Sequence, residues 1–220
     1  MASAAISNYK KPGRPRDPRT ERAILKAANQ LVTRSGLAEM TIEGVAERAG
    51  VGKASIYRRW PSKGALAFDA VLDAILATQP TPDTGSLEVD LVDTARNWVG
   101  LAHLPGGRTV AGFIAEIQSD PKLAAVWRQH FVSRIRQERR PIIERAIARG
   151  EIPAQSDPEL IMDLLYGPLY HRYLNGHLPL DDAFARSVGR MVAAAAASGA
   201  ATPEPPNRVQ RDDAAAGTSP

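Results

Sequence analysis

Residues 41–63, TIEGVAERAGVGKASIYRRWPSK, constrain the fold more than any other part of the chain. Ile42, Val45, Ala46 and Ala49 recur at helical spacing behind Thr41, a residue suited to capping a helix N-terminus. Gly50 supplies a turn conformation that a Cβ opposes. A second short helix is expected from about Lys53 to Trp60, stopped by Pro61. Two short helices about a glycine turn, the second carrying Lys53, Ser55, Tyr57, Arg58 and Arg59, make the pattern of a helix-turn-helix, whose second helix enters the DNA major groove.

The charge is distributed in the same sense. Residues 1–64 hold 13 Lys/Arg against 5 Asp/Glu, net +8, whereas residues 65–220 hold 15 against 19, net −4. A basic head on a mildly acidic body points to a polyanion at one end only. Within residues 1–17, expected to be a disordered basic arm, Gly13–Arg16 cannot be helical because two prolines interrupt it, and Arg14 and Arg16 suit a narrow minor groove. The chain has no Cys, which excludes a disulfide framework and a thiolate metal site. No apolar run reaches the roughly 20 residues of a membrane helix, and the N-terminus lacks the order of a secretory signal, so no membrane partner and a cytoplasmic location are expected.

The remaining pattern is helical. Helix 1 is expected over Pro18–Ser35, capped by Asp17 and ended by Gly36, and helix 4 from Ser62 to about Thr78. Residues 79–86, QPTPDTGS, read as a linker. Further helices are expected over Leu87–Leu104, Thr109–Gln118, Asp120–Gly150 with a kink or split at Pro141, from Asp157, and from Asp181 to Ser198. Residues 199–220 have the composition of a disordered tail. The fold class is therefore all-α with about nine helices: a helix-turn-helix domain over 18–78 (motif 41–60) and a second helical domain over 87–198.

Residues 18–78 resemble the DNA-binding domain of the tetracycline-repressor (TetR) family. The likeness rests on SGLAEMTIEGVAERAG followed by VGKASIYRRWPSKGAL: the Ala-Gly-Val turn, Tyr57 two residues after Ser55, Trp60 and the Ser62-Lys63 pair. It implies a homodimer on a palindromic double-stranded operator, a four-helix bundle from the last two long helices of each subunit, and a small-molecule inducer. Leu165 and Val188 are the residues expected in that bundle. Gly52 departs from the family, where Ser or Thr is common, so a hydroxyl contact to phosphate is lost there.

Chemistry assigns the DNA-facing roles. Lys53 suits a phosphate or a guanine edge, Ala54 a thymine methyl, and Ser55, Tyr57 and Thr41 phosphates. Arg58 and Arg59 are the expected base readers, only one of which need face the bases, and Lys63 resembles the family's phosphate contact. In the second domain Trp98, Phe113, Trp127, Phe131, Tyr166 and Tyr170 are expected to line a ligand cavity, with His103, Gln118, His130 and His171 as polar handles for a largely apolar or aromatic ligand. No metal cluster, nucleophile elbow or phosphate loop is present, so neither cofactor nor catalysis is expected. The leading expectation is a ligand-released repressor. The alternatives are an activator or ligand-independent regulator and, behind these, a helical enzyme or ligand carrier.

Overall fold

The computed structural model describes residues 17–104 and 106–202. In chain order the helices are α1 (Pro18–Glu39), α2 (Ile42–Ala49), α3 (Lys53–Tyr57), α4 (Lys63–Thr78), α5 (Leu87–Ala102), α6 (Thr109–Ser119), α7 (Pro121–Trp127), α8 (Ser133–Ala148), α9 (Pro158–Asn175) and α10 (Asp182–Ala197). A π-helical turn, Arg128–Val132, joins α7 to α8 in one continuous rod. Counting that rod once gives nine helices and no strand among the described residues. Side-chain caps start most of them: Asp17, Thr41, Ser62, Asp120, Asp157 and Asp181 each accept a backbone N–H of the first turn. Gly36 (φ 81°) breaks the regular run of α1 at the expected place, and Gly50 (φ 66°) makes the turn between α2 and α3. Pro141 does not split α8. The irregularity in the rod lies upstream, where the wider π turn absorbs one extra residue.

Two apolar cores hold the molecule. The first unites Ile24, Val45, Ile56, Trp60 and Phe68 of the N-terminal helices with Phe113, Trp127 and Phe131 of α6, α7 and the π turn. It therefore extends beyond the expected boundary at residue 78. The second is built from α5, α8, α9 and α10 around Leu91, Ile142, Leu165 and Val188. Leu165 and Val188 are almost fully buried inside their own subunit, which corrects their expected place in an intersubunit face. The exposed large apolar residues of these two helices are instead Leu160, Leu164 and Leu174 of α9 and Met191 of α10.

The segment 79–86 is fastened down. Gln79 Nε2 donates to Asn97 O (2.6 Å), Thr81 Oγ1 to Glu138 O (2.7 Å), and Arg139 to both Gln79 O and Thr81 Oγ1 (2.9 Å each). Past the last helix the chain stays attached through Thr202. Ala201 is buried and its carbonyl accepts from Asp157 N at 2.8 Å, so the expected tail does not begin at 199. Residues 203–220 lie outside the described residues.

Helix α10 comes close to α5 at Gly189, where an added Cβ would lie 2.7 Å from Cα and N of Val92. Gly189→Ala is expected to destabilise the protein by about 1–3 kcal/mol, measured by denaturant titration. An unchanged midpoint would mean that the two backbones are not in contact.

Candidate nucleic-acid interface and ligand cavity

The α2–α3 unit presents a short cationic surface. Ile56 is buried, which fixes the rotation of α3 and turns Lys53, Ala54, Tyr57 and Arg58 outward; Tyr57 is 54% exposed despite its size. Gly52 provides no side-chain cap for α3, as its lack of a hydroxyl requires. Lys53 Nζ rests 2.9 Å from Glu43 Oε1. That hydrogen bond holds the Glu43 carboxyl below its usual range and raises the Lys53 ammonium. Both side chains are exposed, so an incoming phosphate competes with Glu43 at little cost. Arg58 donates to Ser55 Oγ (2.9 Å) and remains exposed.

Arg59 differs. Its side chain is only 13% exposed, its Nη1 donates to Ser55 O (2.9 Å), and its Nε faces Glu21 Oε2 on α1 at 3.9 Å. It fastens α3 to α1 and is not directed outward with Arg58. Thr41 Oγ1 is engaged as a cap by Gly44 N (3.1 Å), and Lys63 Nζ donates to Ala38 O (2.9 Å). Arg14 and Arg16 lie outside the described residues.

Between the two cores lies a cavity of about 500 Å³. Of the residues expected at a cavity, Trp98, Trp127, Phe131, Tyr166 and Tyr170 line it. The other five expected residues do not, and of these His171 is exposed on α9 beside His177. Phe113 is a core residue, edge-on to Phe68 at 4.8 Å. Gln118 is exposed near the end of α6. His103, exposed at the end of α5, bonds Leu180 O (2.7 Å), and His130 bonds Asp69 Oδ1 (3.1 Å). Sequence reasoning missed Tyr173, Arg136 and Arg139, together with Asn29 and Thr33 of α1. Arg139 was legible in principle, since it shares a helical stripe with Ile135, Ile142, Ile143 and Ala146. Asn29 and Thr33 carry no such signal, because only the tertiary fold brings α1 to the cavity. Burial pushes the phenols of Tyr166, Tyr170 and Tyr173 up, so all three stay protonated at neutral pH.

One carboxylate joins the cavity wall to the end of α3. Asp69, on α4, accepts from Trp60 Nε1 (2.9 Å) through Oδ2. Its Oδ1 meets His130 Nδ1 (3.1 Å) and Arg134 Nη1 (2.9 Å). His130 precedes Phe131 in the π turn, and Phe131 stacks on Trp127 at 4.1 Å to form one side of the cavity. Trp60 is nearly buried, so Asp69→Ala strands its N–H and is expected to lower stability by about 1–3 kcal/mol, with a smaller loss for Asp69→Asn, which keeps an acceptor. Equal midpoints for Asp69→Ala and wild type in thermal denaturation would contradict this.

Comparison with known proteins agrees with this architecture. Residues 24–70 match the model for bacterial regulatory proteins of the tetR family, and residues 81–192 match the tetracyclin repressor-like C-terminal domain. An uncharacterised HTH-type transcriptional regulator of Bacillus subtilis, YdeS, is 36% identical over 178 residues, covering 81% of this chain and 90% of the relative. The DNA-binding transcriptional repressor TetR of Mycobacteroides abscessus is 33% identical, covering 77% and 88%. The crystal structure of the TetR family transcription regulator SCO0332 superposes with a TM-score of 0.72 at 33% identity, covering 80% of this chain and 97% of that one. With both domains matched in order, the chain belongs to the TetR family of helix-turn-helix transcriptional regulators.

Proposed function

We propose that the protein is a homodimeric repressor that leaves a palindromic operator when a small molecule fills the cavity between its two cores. The observation that carries this reading is the Asp69 junction, in which a residue beside the cavity wall and the last residue before Pro61 bond to one carboxylate. A ligand that displaces Phe131 moves the π turn, and with it His130 and the acceptor that holds Trp60. The α3 helix then changes its angle to α4. Such a ligand shifts the DNA-binding equilibrium only by its difference in affinity for the two states.

On DNA, α3 of each subunit would enter a major groove. Arg58 is the proposed base reader, and Lys53, Ser55 and Tyr57 the backbone contacts, with Ala54 leaving room for close approach. Thr41 and Lys63 would add phosphate contacts from the starts of α2 and α4. Selection of sites from a random DNA library at near-physiological salt tests this. Wild type should recover a two-fold symmetric motif. Arg58→Ala should relax one position in each half-site, by about 1–3 kcal/mol of discrimination, whereas Arg59→Ala should keep the motif and lose stability. Recovery of no motif, with binding that vanishes as salt rises, would reject sequence-specific recognition.

The outward apolar residues Leu160, Leu164 and Met191 of α9 and α10 are the proposed dimer face. Leu164→Glu should give folded monomers by sedimentation with at least tenfold weaker operator binding. A dimeric Leu164→Glu protein would place the interface elsewhere.

A further inference from the structure

We propose that the cavity takes a mono-anionic amphipathic molecule, an organic acid with an aromatic or branched apolar body, and that Arg139 supplies the countercharge to its acid group. This rests on reading the cavity as the effector site.

The charges around the cavity are unbalanced. Arg136 and Arg139 line it, and no described lining residue is an Asp or Glu. The two arginines are not equivalent. Arg136 is neutralised by Glu159 (3.0 Å) and by Asp163. Arg139 is 4% exposed, and among the described residues no carboxylate stands within ion-pair distance of it. Its Nη1 and Nη2 donate to neutral oxygens only, Thr81 Oγ1 and Gln79 O, and its Nε is buried without an acceptor. A guanidinium cannot shed its proton to escape this environment, so a buried one without an anion is costly. Fastening the 79–86 segment explains the two hydrogen bonds. It does not explain a full charge, because an amide side chain could donate the same bonds without one.

The rest of the lining fits the other half of such a molecule. Trp98, Trp127, Phe131, Val71, Ile75 and Ile135 offer an apolar enclosure. The protonated hydroxyls of Tyr166 and Tyr170 add donors suited to carboxylate or phenolate oxygens. A volume of about 500 Å³ holds one molecule of moderate size. A cationic ligand would meet the uncompensated Arg139 and no acidic residue among the described lining.

The test is a thermal-shift and calorimetric panel of aromatic monocarboxylic acids, each beside its primary carboxamide and its aminomethyl analogue, on the full-length protein. Wild type should prefer acids over matched amides by about tenfold or more and give no stabilisation with the amines. Arg139→Gln should bring the acid-to-amide ratio towards one, and Arg139→Lys should restore part of it. Because the ratio is read within each variant, a lower melting point from the loosened 79–86 segment does not affect it. Amides or amines binding as well as acids, an acid preference that survives Arg139→Gln, or no acid stabilising the protein at millimolar concentration would overturn the proposal. Operator release is scored separately. Acids that bind through Arg139 without releasing DNA support this ligand class and reject the inducer reading. Neutral compounds that release DNA while acids stay silent reject the class and leave the regulator standing.

Discussion

The Asp69 carboxylate is the interaction on which the relation between the two halves of the molecule depends. It lies on α4 and accepts the indole N–H of Trp60, the residue that ends the α3 turn. Its other oxygen is shared by His130 and Arg134, which belong to the π turn and to the start of α8. In a half-buried setting a carboxylate with three donors is well satisfied, and each donor is costly to strand. Position is thereby transmitted as well as energy. A shift of the π turn cannot leave Trp60 undisturbed unless one of these bonds breaks. The π turn itself is a local departure from regular helix, of the kind that recurs at functional sites.

The cavity occupies the seam between the two cores for a packing reason. α4 belongs to the first core through Phe68 and Leu72, yet its neighbouring face, with Val71 and Ile75, borders the cavity. The π turn does the same, with Phe131 in the first core and against the cavity together. Filling or emptying this space therefore acts on residues that also support the helix-turn-helix. Coupling energies of about 1–3 kcal/mol, or roughly 5–150-fold in affinity, are ordinary for such arrangements. They lie within what one charge-assisted contact at Arg139 and a modest apolar enclosure can supply.

Much of this was legible before the fold was known. Caps, glycine turns and apolar stripes are local signals, so the starts of α1 to α5 could be read from the sequence, whereas their ends were less legible: α3 stops at Tyr57, three residues before the expected Trp60. Tyr166 and Tyr170 were among the aromatics expected at a cavity, and both border it. What the sequence hid depends on contacts between distant segments. His130 looked like a polar handle for a ligand, but Asp69, 61 residues away, claims it. Phe113 had the character of a lining residue but was recruited to a core that begins at α1. Leu165 and Val188 were expected in the bundle because the family resemblance assigns their helices to it, and a resemblance does not tell which face of a helix fills its own subunit's core. Arg59 and Arg58 are adjacent and chemically alike, and only the register of α3 against α1 separates them.

The chain contains three tryptophans, which report on the two ends of this connection: Trp60 at α3, and Trp98 and Trp127 at the cavity. Fluorine NMR of protein labelled with 5-fluorotryptophan, titrated with the selected operator duplex, tests the coupling directly and needs no ligand. Linkage is reciprocal, so DNA bound at α3 must change the cavity if the cavity controls DNA. The Trp60 and Trp127 resonances should move together as operator is added. Movement of Trp60 alone, with Trp98 and Trp127 unchanged at saturation, would contradict a connection through Asp69.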